Sequence, residues 1–103
     1  MIAHAKGEYV KTFDGECESG SQLKMFDSGD NPGKTPEKKV TECSKACRAK
    51  KPPTEGSWGA FEAKGFIVNL ANGTCFCESE DIFTCKRYST DAYDRYDWIS
   101  AGP

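Results

Sequence analysis

The chain has 103 residues, enough for one domain, and its 14 basic and 16 acidic side chains leave a net charge of −2. Leu, Ile, Val and Phe together number only 15, whereas a domain near this length must bury roughly two-thirds of the surface its unfolded chain exposes, so something besides oily bulk has to hold it. No apolar run approaches the roughly 20 residues of a membrane span, which excludes membrane insertion by such a helix, and the near-balance of charge argues against a nucleic-acid partner.

Residues 1–7 (MIAHAKG) carry no apolar signal-like run and read as a flexible N-terminal tail on a mature form with an added initiator Met, followed by a single disulfide-rich domain over residues 8–100. In residues 8–17, Tyr9, Lys11 and Phe13 alternate with Val10 and Thr12, the period of a short strand running into an Asp14-Gly15 turn. Ser19 to Lys34 is rich in Ser, Gly, Asp and Asn, so a long loop is expected there, with Leu23, Met25 and Phe26 turned inward. The loop gathers Asp27, Asp30 and Asn31, but not in the order that a calcium-binding loop requires.

A helix is expected over residues 36–50. Thr35 suits the N-cap, Pro36 the first helical position and Glu37 the positive helix end, while Pro52-Pro53 forbids continuation. Val40, Cys43, Ala46 and Cys47 recur as one narrow apolar face. Residues 34–51 hold seven basic and two acidic groups, against a local charge of −3 in residues 1–30 and again in 78–97; the basic side reads as a solvated face.

Residues 57–79 then read as a meander of three strands, SWGAFEAKG, FIVNLA and TCFCES. Asn72-Gly73 has the preference of a two-residue type I′ hairpin, which opposes Leu70 to Cys75 and Val68 to Cys77. Phe66, Val68, Leu70, Cys75 and Cys77 then share the core face, with Ile67, Asn69 and Phe76 on the other.

The six cysteines are Cys17, Cys43, Cys47, Cys75, Cys77 and Cys85. They lack C-x-x-C knuckles, and the only histidine, His4, lies in the tail, so they are read as disulfides, with no metal and no other cofactor. Disulfides place the protein in an oxidising, extracellular setting. Cys43 and Cys47 project from one side of the helix about 6 Å apart, and Cys75 and Cys77 lie about 6.6 Å apart on one strand face. A helix laid across the hairpin therefore closes two parallel bridges. These are Cys43–Cys77 with Cys47–Cys75, or Cys43–Cys75 with Cys47–Cys77, and either set leaves Cys17–Cys85 to fasten the ends.

A first strand, a helix carrying C-x-x-x-C (TECSKACRAK), an aromatic strand (WGAFEAKG) and a hairpin ending in cysteine (NGTCFC) together resemble the PAN/apple module over roughly Tyr9 to Cys85. Two departures stand out: no cysteine precedes Trp58-Gly59-Ala60-Phe61, and the Cys75-Phe76-Cys77 pair is extra. The resemblance implies an extracellular domain that binds proteins or carbohydrates without chemistry of its own.

The tail from Tyr88 to Trp98 interleaves aromatic and acidic residues. Tyr93, Tyr96 and Trp98, with Trp58 earlier in the chain, are candidate binding residues. The plainer reading makes Tyr96 and Trp98 part of a last strand closing the sheet edge, and Trp58 a core or edge anchor. Asn72-Gly73-Thr74 is a glycosylation sequon. No nucleophile elbow, phosphate loop or metal-ligand set is present; a carboxylate pair such as Glu78 and Asp81 is the nearest approach to a hydrolase, in a domain with little room for a cleft. The expectation is an α+β domain, one helix packed on an antiparallel sheet of about three to five strands, secreted, stapled by disulfides and not an enzyme. It would bind an extracellular protein or glycan. The alternatives are a secreted effector, toxin-like protein or protease inhibitor acting through an exposed loop, at residues 27–34 or 50–57, or an assembly subunit of a larger complex.

Overall fold

The computed structural model describes residues 9–50, 61–90 and 92–99. Its strands are β1 (Tyr9–Asp14), β2 (Glu16–Cys17), β3 (Gln22–Phe26), β4 (Gly65–Val68), β5 (Cys75–Glu78), β6 (Arg87–Tyr88) and β7 (Asp94–Trp98), with one helix, α1 (Pro36–Arg48), between β3 and β4. Five strands form one sheet in the order β1-β7-β4-β5-β3, and β2 pairs separately with β6. Every pairing is antiparallel. This is the expected α+β fold, one helix on an antiparallel sheet.

The helix begins as its sequence dictates. Thr35 is extended and its hydroxyl accepts from the Lys38 N–H, Pro36 occupies the first turn, and Lys45 and Arg48 sit at the negative end. Its buried residues are Val40, Cys43, Ser44 and Cys47. Ser44 replaces the expected Ala46 on this face because its hydroxyl accepts from Trp98 Nε1 at 2.9 Å, so a polar side chain is satisfied where it is buried.

Three expectations need correction. The segment expected to be a loop from Ser19 to Lys34 contains edge strand β3, in which Leu23 opposes Cys77 and Phe26 opposes Cys75 across a bulge. Ladder pairing overrides the polar composition there, and Leu23, Met25 and Phe26 do pack against the core as expected. The first strand of the meander does not extend into 61–65: residues 57–60 lie outside the described residues, Phe61 makes an isolated bridge and Gly65 already belongs to β4. The last strand, β7, closes no edge; it lies inside the sheet, between β1 and β4.

The hairpin register is also shifted. Val68 opposes Cys75 and Phe66 opposes Cys77, so each strand residue pairs two places from the expected partner. Gly73 has positive φ (83°) but Asn72 does not, which rules out a type I′ turn. A wider turn forms instead, in which Asn69 Oδ1 accepts from the N–H groups of Ala71 and Asn72, and Gly73 N–H donates to the Asn69 carbonyl. A slip of two preserves side-chain parity, so the predicted core face survives.

The bridges are Cys43–Cys75, Cys47–Cys77 and Cys17–Cys85, which selects one of the two open sets. Under α1 the core is aromatic: Phe66 stacks on Tyr96 at 5.3 Å between centroids and meets Tyr9 edge-on at 5.6 Å. No described helix is long and apolar enough to cross a membrane.

Candidate recognition surface

Strand alternation sends Ile67, Phe76, Glu78, Arg95 and Asp97 to the sheet face turned away from α1. Arg95 and Glu78 there are fully buried, 0% and 1% exposed. Arg95 Nη1 donates to Glu78 Oε1 at 3.0 Å and lies 2.7 Å from Cys17 Sγ. Its Nη2 donates to Asp97 Oδ1 and to the Glu80 carbonyl. Glu78 Oε2 accepts from the Cys17 N–H and from Gln22 Nε2. Burial pushes the Glu78 carboxyl above its ordinary value, and Gln22, Arg95 and the Cys17 N–H oppose that shift. Among the described residues no buried side-chain polar atom lacks a partner, which is the condition under which a buried ion pair is tolerated.

Two glycines make room for this hub. A Cβ on Gly65 would sit 2.4 Å from the Arg95 guanidinium. Gly15 has φ 136°, and a Cβ there would fall 2.1 Å from the Tyr88 carbonyl, so only glycine lets β6 approach.

The β2–β6 ladder and the segment between β5 and β6 cover the hub. Cys17–Cys85 pins that segment, and Glu18 N–H donates to the Lys86 carbonyl beside the bridge. Residues 81–84 form a turn: Asp81 Oδ1 accepts from the Phe83 N–H at 2.8 Å, and the Asp81 carbonyl accepts from the Thr84 N–H. Glu80 reaches back to accept from the Thr84 hydroxyl. At the tip Phe83 is 93% exposed, with Glu80 and Asp81 at its shoulder and Tyr88, 53% exposed, on the adjoining strand.

The four candidate binding residues are not gathered on one surface. Tyr96 is buried in the core and Trp98 packs on Phe66 with its indole N–H on Ser44. Tyr93 stands on the opposite face, edge-on to Phe76 at 6.1 Å. Trp58 lies outside the described residues. Of the two candidate loops, 50–57 lies outside them beyond Lys50, and 27–34 is exposed except at Asn31 and Gly33, where it is anchored. The Asn31 amide donates to the carbonyls of Lys39 and Gly73 and accepts from the Gly33 N–H, while the Asp27 carboxylate accepts from the Ser28 N–H and faces Lys24. Glu78 is committed to Arg95 and Asp81 to the turn, so they do not face each other across a cleft. The sulfurs of Cys43, Cys47 and Cys75 lie within 4.8 Å of one another, but all belong to bridges and offer no thiolate.

Asn72 is exposed, and its side-chain oxygen accepts from both the N–H and the hydroxyl of Thr74. A concavity of about 260 Å³ lies between α1 and the sheet, lined by Tyr9, Pro36, Glu37, Val40, Leu70 and Tyr96. Its walls are aliphatic and aromatic, and its polar groups come from Tyr9, Tyr96 and the Glu37 carboxylate.

No family model matches the chain, and neither the curated proteins nor the solved structures contain a match. Sequence reasoning missed Arg95 and Phe83, and it offers Glu78 as half of a carboxylate pair with Asp81 where the structure pairs it with Arg95. For Phe83 a signal existed: an apolar Ile-Phe pair inside an acidic, cysteine-bounded segment, ESEDIFTC.

Proposed function

We propose that the chain is a secreted, non-enzymatic recognition module of the PAN/apple-like kind that binds an extracellular protein or glycan. The observation that carries the reading is that all six cysteines are spent on architecture, two bridges beneath α1 and one beneath an exposed turn. Such use of sulfur fits an oxidising compartment and a small core. Within the sequon Asn72 is exposed while Thr74 is buried, and the exposure of Asn72 supports glycosylation there.

Routing the chain through a eukaryotic secretory pathway, beside expression in a reducing cytosol, tests this reading. Folded protein is expected only from the secretory route, with glycan on Asn72. A cytosolic product that folds equally well with free thiols would overturn it.

One observation favours the second reading, an effector or inhibitor acting through a single loop: the exposed turn of residues 81–84 is cross-linked at its base by Cys17–Cys85. Replacing that turn with a Gly/Ser linker abolishes function under this reading. It leaves function largely intact if the binding surface spans several elements.

A further inference from the structure

We infer that Phe83 is an anchor that inserts into an apolar pocket rimmed by basic side chains on a folded protein partner. This deepens the recognition reading and rests on it. A solvated Phe ring at 93% exposure stabilises nothing within this chain. Its backbone is nonetheless held in place by the Asp81 carboxylate on the Phe83 N–H, by the Thr84 N–H on the Asp81 carbonyl, and by the Cys17–Cys85 bridge one residue beyond the turn. Fixing a turn in advance removes most of the ordering cost that association otherwise carries, and a rigid aromatic is the usual form of an interface hot spot.

The charge around the ring sets the partner's chemistry. Glu80 and Asp81 flank the tip and Glu18 is exposed beside the bridge, while the exposed cations Lys86 and Arg87 follow Cys85, with Arg87 laid over the Phe13 ring. An acidic shoulder around an apolar knob is complementary to a hydrophobic slot with Lys or Arg at its mouth. A glycan offers no apolar slot of that kind, and a second copy of the chain would bring the same acidic shoulder against itself.

The test uses the oxidised full chain and a naive displayed library of single-domain antibodies as the probe, because unbiased binders collect at intrinsically adhesive epitopes. Independent clones are expected to compete with one another, to carry Lys or Arg around an apolar pocket, and to lose about 30-fold or more in affinity for Phe83→Ala. The fold of that variant is checked by its amide NMR spectrum.

A second variant, Glu80→Gln with Asp81→Asn, keeps the hydrogen-bond acceptors of the turn and removes its charge. It is expected to slow association several-fold at low salt, with little change in dissociation. Clones that scatter over the surface, or that ignore Phe83→Ala, overturn the proposal. So does Phe83-dependent self-association in sedimentation, or glycan-array binding that Phe83→Ala abolishes. Failure of secretion would instead count against the recognition reading and leave the Phe83 epitope standing, whereas failure of Cys17–Cys85 to oxidise would overturn both.

Discussion

The two faces of the central sheet are covered by opposite means. Beneath α1 lie two bridges and a cluster of rings with cysteines at 0% exposure, whereas beneath the β2–β6 ladder lie one bridge and a buried ion pair. The first cover is fixed covalently at two points of α1 and otherwise asks only that its rings pack without water. The second works only if every donor meets its acceptor, so it specifies one position for the turn that carries Phe83.

Reduction separates the faces most strongly. The bridges close loops with separations of 30, 32 and 68 residues, and chain-entropy reasoning assigns about 4 kcal/mol to each. Complete reduction is expected to unfold the domain, read as loss of near-UV circular dichroism. Under mild reductant Cys17–Cys85 is expected to open first, since Cys85 is half-exposed and the Arg95 guanidinium favours departure of the Cys17 thiolate. Alkylation mapping that finds Cys43 or Cys47 labelled earlier would reverse the assignment of which cover is the looser.

Next in size is the ion pair. Arg95→Met leaves Glu78 charged and unpaired and is expected to cost about 3–5 kcal/mol in urea unfolding. Adding Glu78→Gln is expected to return part of that loss. A strictly additive double-mutant cycle would show that packing, not charge, sets the cost.

A smaller effect is expected at Gly65, where a methyl would meet the guanidinium at 2.4 Å. Gly65→Ala is expected to cost about 1–3 kcal/mol in the native background and much less in Arg95→Met. An equal cost in both would place the conflict elsewhere.

The smallest expected effect is alkaline. Burial raises the Tyr96 hydroxyl above its ordinary 10.0, with Asp94 adding to the shift. The folded chain therefore binds this proton more tightly than the unfolded chain, so the stabilisation is complete below pH 10 and is lost as pH rises through the folded value. Tyr96→Phe is expected to flatten the stability profile above pH 10; an unchanged slope would mean that other groups control it.

Much of this architecture was legible because it rests on short-range rules. Thr35-Pro36 opened the helix, i and i+4 cysteines faced i and i+2 cysteines, and strand parity put Phe66 on the core face, whereas Tyr96 reads as a candidate for binding and lies in the core. What stayed hidden depends on contacts distant in sequence. Arg95 reads as a solvent-facing residue beside Tyr96 until Gly65 and Glu78 are brought under it, and the hairpin register turned on Asn69, whose side chain caps the turn in place of the expected Asn-Gly geometry. Of the candidate site, the notable absence was Phe83. An exposed aromatic inside an acidic segment is recognised only once the Asp81 cap and the neighbouring bridge show the segment to be held.

The pairing of Tyr9 with Trp98 has one further use. The first and last of the described strands run side by side, so Tyr9 and Trp98 lie within about 5 Å of each other, as antiparallel partners must. A segment cut from Tyr9 to Trp98 can be spliced into a surface loop of a host protein, or re-opened at another loop after those two positions are joined, without disturbing the sheet between them.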